Sequence, residues 1–122
     1  MRILVIDDNE QMLILLRQAM EWAGYEVAVA ENGRLGQELF EEQPADLIIT
    51  DLIMPEQEGL ETIRKLRKRA PAVKIIAISG GGKIGPEAYL PAAMELGADR
   101  IFSKPFDIKV LVQTVQELLT DI

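Results

Sequence analysis

The sequence predicts a doubly wound α/β fold: a parallel sheet of five strands in the order 2-1-3-4-5, with helices on both faces. Three observations carry that expectation. Apolar runs of strand length alternate, five times over, with segments whose apolar residues recur every three or four positions, which is the pattern of repeated βα units. The connections are short, and right-handed crossovers between parallel strands leave few strand orders to choose from. The first, third and fourth runs are the most apolar, as strands covered on both faces must be, so they belong at the centre.

Taken in order, Ile3 to Ile6 is the first strand and ends in Asp7-Asp8. Leu13, Leu16, Met20 and Ala23 then recur at helical spacing, with Gln11, Arg17, Gln18 and Glu21 opposite, and Gly24 stops the helix. Glu26 to Ala30 is a second strand whose leading acid marks an edge position, followed by Asn32-Gly33 as a turn. A helix carrying Leu35, Leu39 and Phe40 leads to Pro44. The third strand lies in Asp46-Leu47-Ile48-Ile49-Thr50-Asp51-Leu52-Ile53-Met54-Pro55, with Asp51 at its carboxyl end; Pro55 forbids continuation and Gly59 relaxes the loop.

Leu60, Ile63 and Leu66 form the next helical stripe, with Glu61, Arg64, Lys65, Lys68 and Arg69 as a solvated charged face. Val73 to Ile78 is the fourth strand and runs into Ser79-Gly80-Gly81-Gly82-Lys83. The segment Pro86 to Gly97 is helical in composition, and Pro91 inside it delays the regular helix to about that point. Asp99 to Ser103 is a short fifth strand, followed by Lys104-Pro105-Phe106. The last helix takes Asp107 as its cap and buries Ile108, Leu111, Val112, Val115, Leu118 and Ile122. No repeat, linker or low-complexity tract interrupts the pattern.

Composition narrows the function. A chain of 122 residues, 48% hydrophobic and 27% charged, supports one core, so residues 1–122 are expected to form a single domain. The formal charge of −7 argues against direct binding of nucleic acid or anionic membrane, both of which need a basic footprint. The apolar start Met1 to Ile6 is too short for a signal peptide or a membrane span. With no cysteine, disulfides and thiolate chemistry are excluded, and the expected location is cytoplasmic. The absence of histidine removes the usual general base and any phosphohistidine role.

In a sheet ordered 2-1-3-4-5 the switch point lies between strands one and three, which sets Asp7, Asp8 and Asp51 side by side at the carboxyl edge. Ser79 and Lys104 end strands four and five on that same edge. Three neighbouring carboxylates repel one another unless one stays protonated or a cation joins them. With only oxygen ligands to offer, the group suits a hard ion such as Mg²⁺, which is typically held by one or two carboxylates plus a phosphate. A phosphoryl group is then the missing ligand. Asp51 is a carboxylate nucleophile able to form an aspartyl-phosphate, Lys104 supplies positive charge for the transferring oxygens, and the Ser79 hydroxyl supplies a hydrogen bond. Singly, each has a plainer reading: Asp8 as a helix cap with Asn9, Ser79 as a turn residue, Lys104 as an exposed lysine.

Together the pieces Ile6-Asp7-Asp8-Asn9, Asp51-Leu52-Ile53-Met54-Pro55 with Gly59, Ile78-Ser79-Gly80 and Lys104-Pro105-Phe106 resemble the receiver domain of two-component response regulators, and the resemblance covers essentially the whole chain. It implies a flavodoxin-like (βα)5 fold and a regulatory phosphoacceptor, not an enzyme acting on external substrates. Asp51 would take a phosphoryl group from a sensor histidine kinase or phosphotransfer protein in the presence of Mg²⁺ or Mn²⁺. Phosphorylation and dephosphorylation would be self-catalysed at Asp51 alone. Asp8, Asp51 and the Ile53 backbone carbonyl would ligate the metal, with Asp7 acting through water. Lys104, Ser79 and Gly80 would contact the phosphoryl group, and the Lys104-Pro105 peptide would be cis. Ser79 would move on phosphorylation, and a downstream protein would read the face built from helix 4, strand 5 and helix 5. The family also admits a homodimer.

The chain departs from the family pattern in three places. The switch aromatic, three residues before the lysine, is replaced by Ile101, and strand alternation turns the adjacent Phe102 to the other face. The Ser79-to-Lys104 segment is a few residues longer than usual, with Gly80-Gly81-Gly82 as a flexible entry to helix 4. The positions two past Asp51 and two past Ser79, which orient the hydrolytic water in relatives, are Ile53 and Gly81, so a long-lived phosphoryl group is expected.

Rival readings are weaker. Gly80-Gly81-Gly82-Lys83 mimics part of a P-loop but lacks Gly at Ala77 and Ser or Thr at Ile84. An FMN binder of this topology needs a phosphate cradle after strand one, where Asp7-Asp8 would repel it. A Mg-dependent phosphohydrolase needs a substrate pocket that no insertion supplies. A receiver-fold protein-binding module without phosphorylation would have no use for the five polar residues retained at the strand ends.

Overall fold

The computed structural model describes residues 1–52, 59–79 and 90–120. Its elements alternate as expected: β1 (Arg2–Ile6), α1 (Glu10–Trp22), β2 (Glu26–Ala30), α2 (Gly33–Glu42), β3 (Leu47–Asp51), α3 (Gly59–Arg69), β4 (Lys74–Ser79), α4 (Leu90–Leu96), β5 (Arg100–Ser103) and α5 (Ile108–Thr120). All strands pair in parallel, in the order β2-β1-β3-β4-β5.

Two cores follow from the period-two alternation of the strands. Ile3, Val5, Leu47, Ile49, Ile76 and Ile78 face α1 and α5, where they meet Leu16, Met20, Leu111 and Val115. Leu4, Ile6, Ile48, Ile75 and Ala77 face the opposite way, against Phe40, Ile63, Leu66 and Ala93 of α2, α3 and α4. The central strands are buried along nearly their whole length, whereas β2 begins with the exposed Glu26. Each fully buried Leu or Ile contributes about 2 kcal/mol of transfer free energy, so both stripes of β1, β3 and β4 anchor the sheet.

Local signals set the helix ends. Asn9 caps α1, its Oδ1 accepting from Met12 N at 3.1 Å, and Gly24 leaves the helix with a left-handed φ of 99°. The chain bends at Glu31 and Asn32 as expected, and Asn32 also caps α2 by accepting from Leu35 N at 2.8 Å, with Gly33 already helical. Asn offers the same side-chain oxygen to a turn or to a helix start, and here the helix that follows takes it. β4 runs one residue later than predicted at both ends, because Val73 N is taken by the Ala70 carbonyl that closes α3. The described part of α4, Leu90–Leu96, takes in Pro91, and the residues before Leu90, on which the expected delay of the helix turns, lie outside the described residues. Ile122, assigned to the buried stripe of the last helix, lies outside the described residues, and Leu119 extends that stripe instead.

The charged face of α3 is solvated as expected, with Glu61, Arg64, Lys68 and Arg69 exposed, and pairing involves some of its charges and the neighbouring Arg67. Arg69 forms a bidentate pair with Glu41 of α2 at 2.6 and 2.8 Å. Arg67 reaches the Gly97, Pro71 and Val73 carbonyls and the Asp99 carboxylate.

Candidate functional site

Strand register builds the site. Ile6 pairs with Thr50, so Asp7 and Asp51, each one residue further on, emerge next to each other. Ser79 pairs with Ser103, and Lys104 N donates to the Ser79 carbonyl at 2.9 Å, which brings the lysine to the same edge. The backbone behind Asp51 is held tightly. Leu52 N donates to Ile78 O and Gly59 N to Leu52 O, both at 3.0 Å. A Cβ on Gly59 would sit 2.3 Å from the Asp51 carbonyl oxygen, so only glycine lets α3 begin directly against the strand end.

Asp7 and Asp51 are buried, at 1% and 7% exposure, while Asp8 is exposed. One carboxylate oxygen from each of the three lies within 4.8 Å of the others. Lys104 Nζ donates to Asp51 Oδ2 at 3.1 Å and to Asp7 Oδ2 at 3.3 Å, and Asp7 Oδ1 accepts from Asn9 N at 2.9 Å. Burial pushes the Asp7 carboxyl up to about 6 from its usual 3.8, and the neighbouring Asp51 charge adds to the rise against the opposing Asn9 hydrogen bond and Lys104 charge. Burial works against the Lys104 ammonium, but the charges of Asp51 and Asp7 outweigh it and hold its pKa above the ordinary lysine value. One amine faces three acids. Such a cluster has surplus negative charge and an all-oxygen donor set, which fit a hard divalent cation.

The Ser79 hydroxyl adds a second anomaly. It is buried at 0% exposure, and among the described residues its Oγ has no hydrogen-bond partner, an arrangement that costs about 1–3 kcal/mol.

A family model described as the response regulator receiver domain matches residues 3–116. The chain belongs to the response regulator receiver family. Response regulator receiver protein CpdR of Brucella abortus is 33% identical, with 97% of this chain and 96% of that protein covered. Chemotaxis protein CheY of Thermotoga maritima is 34% identical over 96% of each chain. Among solved structures, a CheY-like receiver domain protein from Methanospirillum hungatei superposes with a TM-score of 0.90 at 29% identity, over 98% of this receiver and 94% of that chain.

The receiver's sequence-predicted site residues are largely brought together. Asp7, Asp8, Asp51 and Lys104 form one cluster, Ser79 ends the neighbouring strand, and the Lys104-Pro105 peptide is cis. Ile53 and Gly80 lie outside the described residues, as does Gly81. Ile101 is 38% exposed, whereas Phe102 packs into the α1/α5 core edge-on to Phe106, with ring centroids 6.0 Å apart. The two side chains therefore lie on opposite faces of β5, as alternation requires.

Sequence reasoning missed the Arg67–Asp99 contact at the other end of the sheet. One signal was available: Arg67 lies four residues after the buried Ile63 and next to Leu66, hence at the margin of the apolar stripe. Among the described residues no helix is long and apolar enough to cross a membrane.

Proposed function

We propose that this receiver accepts a phosphoryl group on Asp51 from the phosphohistidine of a sensor kinase or phosphotransfer protein, and that it signals through α4, β5 and α5. The observation that carries the reading is the buried Asp51 carboxylate set between Lys104 and two further acids, beside the unpartnered Ser79 hydroxyl. In the transfer, an Asp51 carboxylate oxygen attacks phosphorus and the bond from phosphorus to the donor's imidazole nitrogen breaks. The electron pair returns to that nitrogen, and the donor leaves as neutral imidazole after taking up a proton.

Asp8 and Asp51 would hold Mg²⁺ or Mn²⁺ directly, with the Ile53 carbonyl as the remaining protein ligand and Asp7 acting through water; the ion supplies charge neutralisation for the phosphoryl oxygens. Phosphorylation of Asp51 removes the carboxylate's own negative charge, so Lys104 loses one carboxylate partner and turns to the new phosphoryl oxygens. Ser79 donates its hydroxyl hydrogen to another phosphoryl oxygen, which removes the cost of its unmade hydrogen bond. Gly80 lies beside it in sequence and offers a backbone N–H.

Exposed apolar side chains support the output face: Met94 on α4 is 46% exposed, Ile101 on β5 38% and Val110 on α5 47%. With Ile at 101, rotation of a ring is not the relay, and the Ser79 movement acts on α4 and β5 directly. The domain spans residues 1–122 in this reading, is cytoplasmic, and binds neither nucleic acid nor membrane itself.

Incubation with Mg²⁺ and a small acyl phosphate, followed by intact mass measurement, tests the proposal. The wild type should gain one phosphate and Asp51→Asn none. No gain in the wild type would favour a phosphate-independent binding module, and continuous release of phosphate from many substrates would favour a hydrolase. The phosphoryl group should outlast separation from the donor; decay within seconds in Mg²⁺ would contradict the role given to Ile53 and Gly81.

A further inference from the structure

We propose that the groove between α1 and α2, along the outer edge of β2, receives a cationic segment of a partner protein that also carries apolar side chains. Among the described residues β2 pairs only with β1, so its far side is an open sheet edge, flanked by α1 on one face and α2 on the other. The resulting groove encloses about 720 Å³. Its floor is apolar, formed by Leu13, Val29, Leu35 and Leu39, with the half-exposed Ile14 at its side.

Its rim is acidic. Glu10, Glu31, Glu38 and Glu42 surround the floor, Asp8 closes the end nearest the carboxylate cluster, and among the described residues Arg17 is the only base that lines it. That arginine is engaged by Glu21 at 3.4 Å, and Glu38 is paired with Arg34 at 3.0 Å. Glu10, Glu31 and Glu42 have no basic partner among the described residues.

Charge complementarity selects the occupant. An anionic lipid surface or an acidic peptide would be repelled, and approach of a second copy of this chain is opposed by its net charge of −7, although α3 presents bases. Lysine or arginine side chains would meet the unpaired glutamates while apolar neighbours cover the leucines and Val29. This combination of desolvated apolar contacts and charged rim pairs is what a specific, moderately weak docking surface needs. Asp51 and Lys104 do not line the groove, and Asp8 is the one residue it shares with the proposed phosphoryl site, so the inference rests on the glutamate rim and the apolar floor.

The test uses the full chain and a fluorescently labelled short peptide of lysine and leucine, with binding read by anisotropy. Glu31→Lys combined with Glu42→Lys should weaken binding at least about tenfold, since two rim contacts turn from attraction to repulsion. Glu95→Lys combined with Glu117→Lys makes the same change in net charge on α4 and α5 and should alter affinity less than about threefold. Asp51→Asn should bind like the wild type. Amide chemical shifts on peptide addition should concentrate at Leu13, Val29, Glu31 and Leu39. Equal weakening by the two double variants, shifts centred on α4 and α5, or equal binding of a glutamate–leucine peptide would each overturn the proposal. So would a concentration-dependent dimer of the free chain that the Glu31/Glu42 variant abolishes.

Discussion

The two ends of the sheet each carry a basic side chain inserted among oxygen atoms, and they differ in whether the donors and acceptors balance. At the amino edge of β4, Arg67 spreads its guanidinium over three backbone carbonyls and the Asp99 carboxylate, and Asp99 Oδ2 also accepts from Ile75 N at 2.8 Å. Donors and acceptors there are matched. At the carboxyl edge, Lys104 meets Asp7 and Asp51 with Asp8 close by, Asp7 is held well above its ordinary pKa, and Ser79 has an unmade hydrogen bond. A matched cluster fastens elements together. An unmatched one, supported by the same rigid strands, leaves surplus negative charge and an unmet donor, and it is from this imbalance that the cation and phosphoryl sites are proposed.

Breaking the matched end should have the largest effect on stability. Arg67→Met leaves two buried or half-buried acceptors without donors and detaches the α3 end from the α4–β5 connection. It should cost about 3 kcal/mol in chemical denaturation while phosphate gain at Asp51 persists in whatever fraction remains folded.

The unmatched end should behave in the opposite sense. Because the Asp7 carboxyl is raised to about 6 in the folded chain from 3.8, the folded state favours the protonated form. That preference stabilises the protein fully below a pH of about 4 and is lost as pH rises through about 6. Denaturation in chelator should therefore show a loss on the order of 2 kcal/mol between pH of about 4 and about 7. Asp7→Asn should flatten that slope and be more stable than wild type at neutral pH, an outcome the Arg67 end cannot produce.

Divalent cation sharpens the contrast with a smaller effect. At tenfold excess over its Kd, Mg²⁺ should add about 1.4 kcal/mol at neutral pH, read as a rise in thermal midpoint, and Asp8→Asn should lose most of that response. Arg67→Met should keep it. The smallest effect belongs to the exposed Arg69–Glu41 pair, where both side chains are half-exposed or more. Hydrogen bonding to Arg69 lowers the Glu41 pKa, yet Arg69→Ala should leave the denaturation midpoint within experimental error, because solvent and salt screen such pairs.

Much of the fold was legible from periodicity. The alternation of Ile3, Val5, Leu47 and Ile49 against Leu4, Ile6 and Ile48 specifies two faces, and the Leu13-Leu16-Met20 spacing specifies one helical stripe; neither depends on distant residues. The edge position of β2 was readable from Glu26. The capping role of Asn32 went unread behind its turn role because a capping asparagine and a turn asparagine carry the same local signal. The site was legible to the extent that strand order alone brings Asp7, Asp8, Asp51, Ser79 and Lys104 to one edge.

What the chain determines by itself is the sequence of elements, their buried faces and the edge at which the polar strand ends collect, because these follow from spacings of two and of three to four residues. Tertiary structure decided the rest. Whether Arg67 is solvated or saturated, how far the Asp7 proton is held, and that Glu10, Glu31 and Glu42 surround one apolar groove depend on residues separated by tens of positions. Charge and hydrogen bonding act through distance and burial in space, and those quantities exist only once the strands have paired.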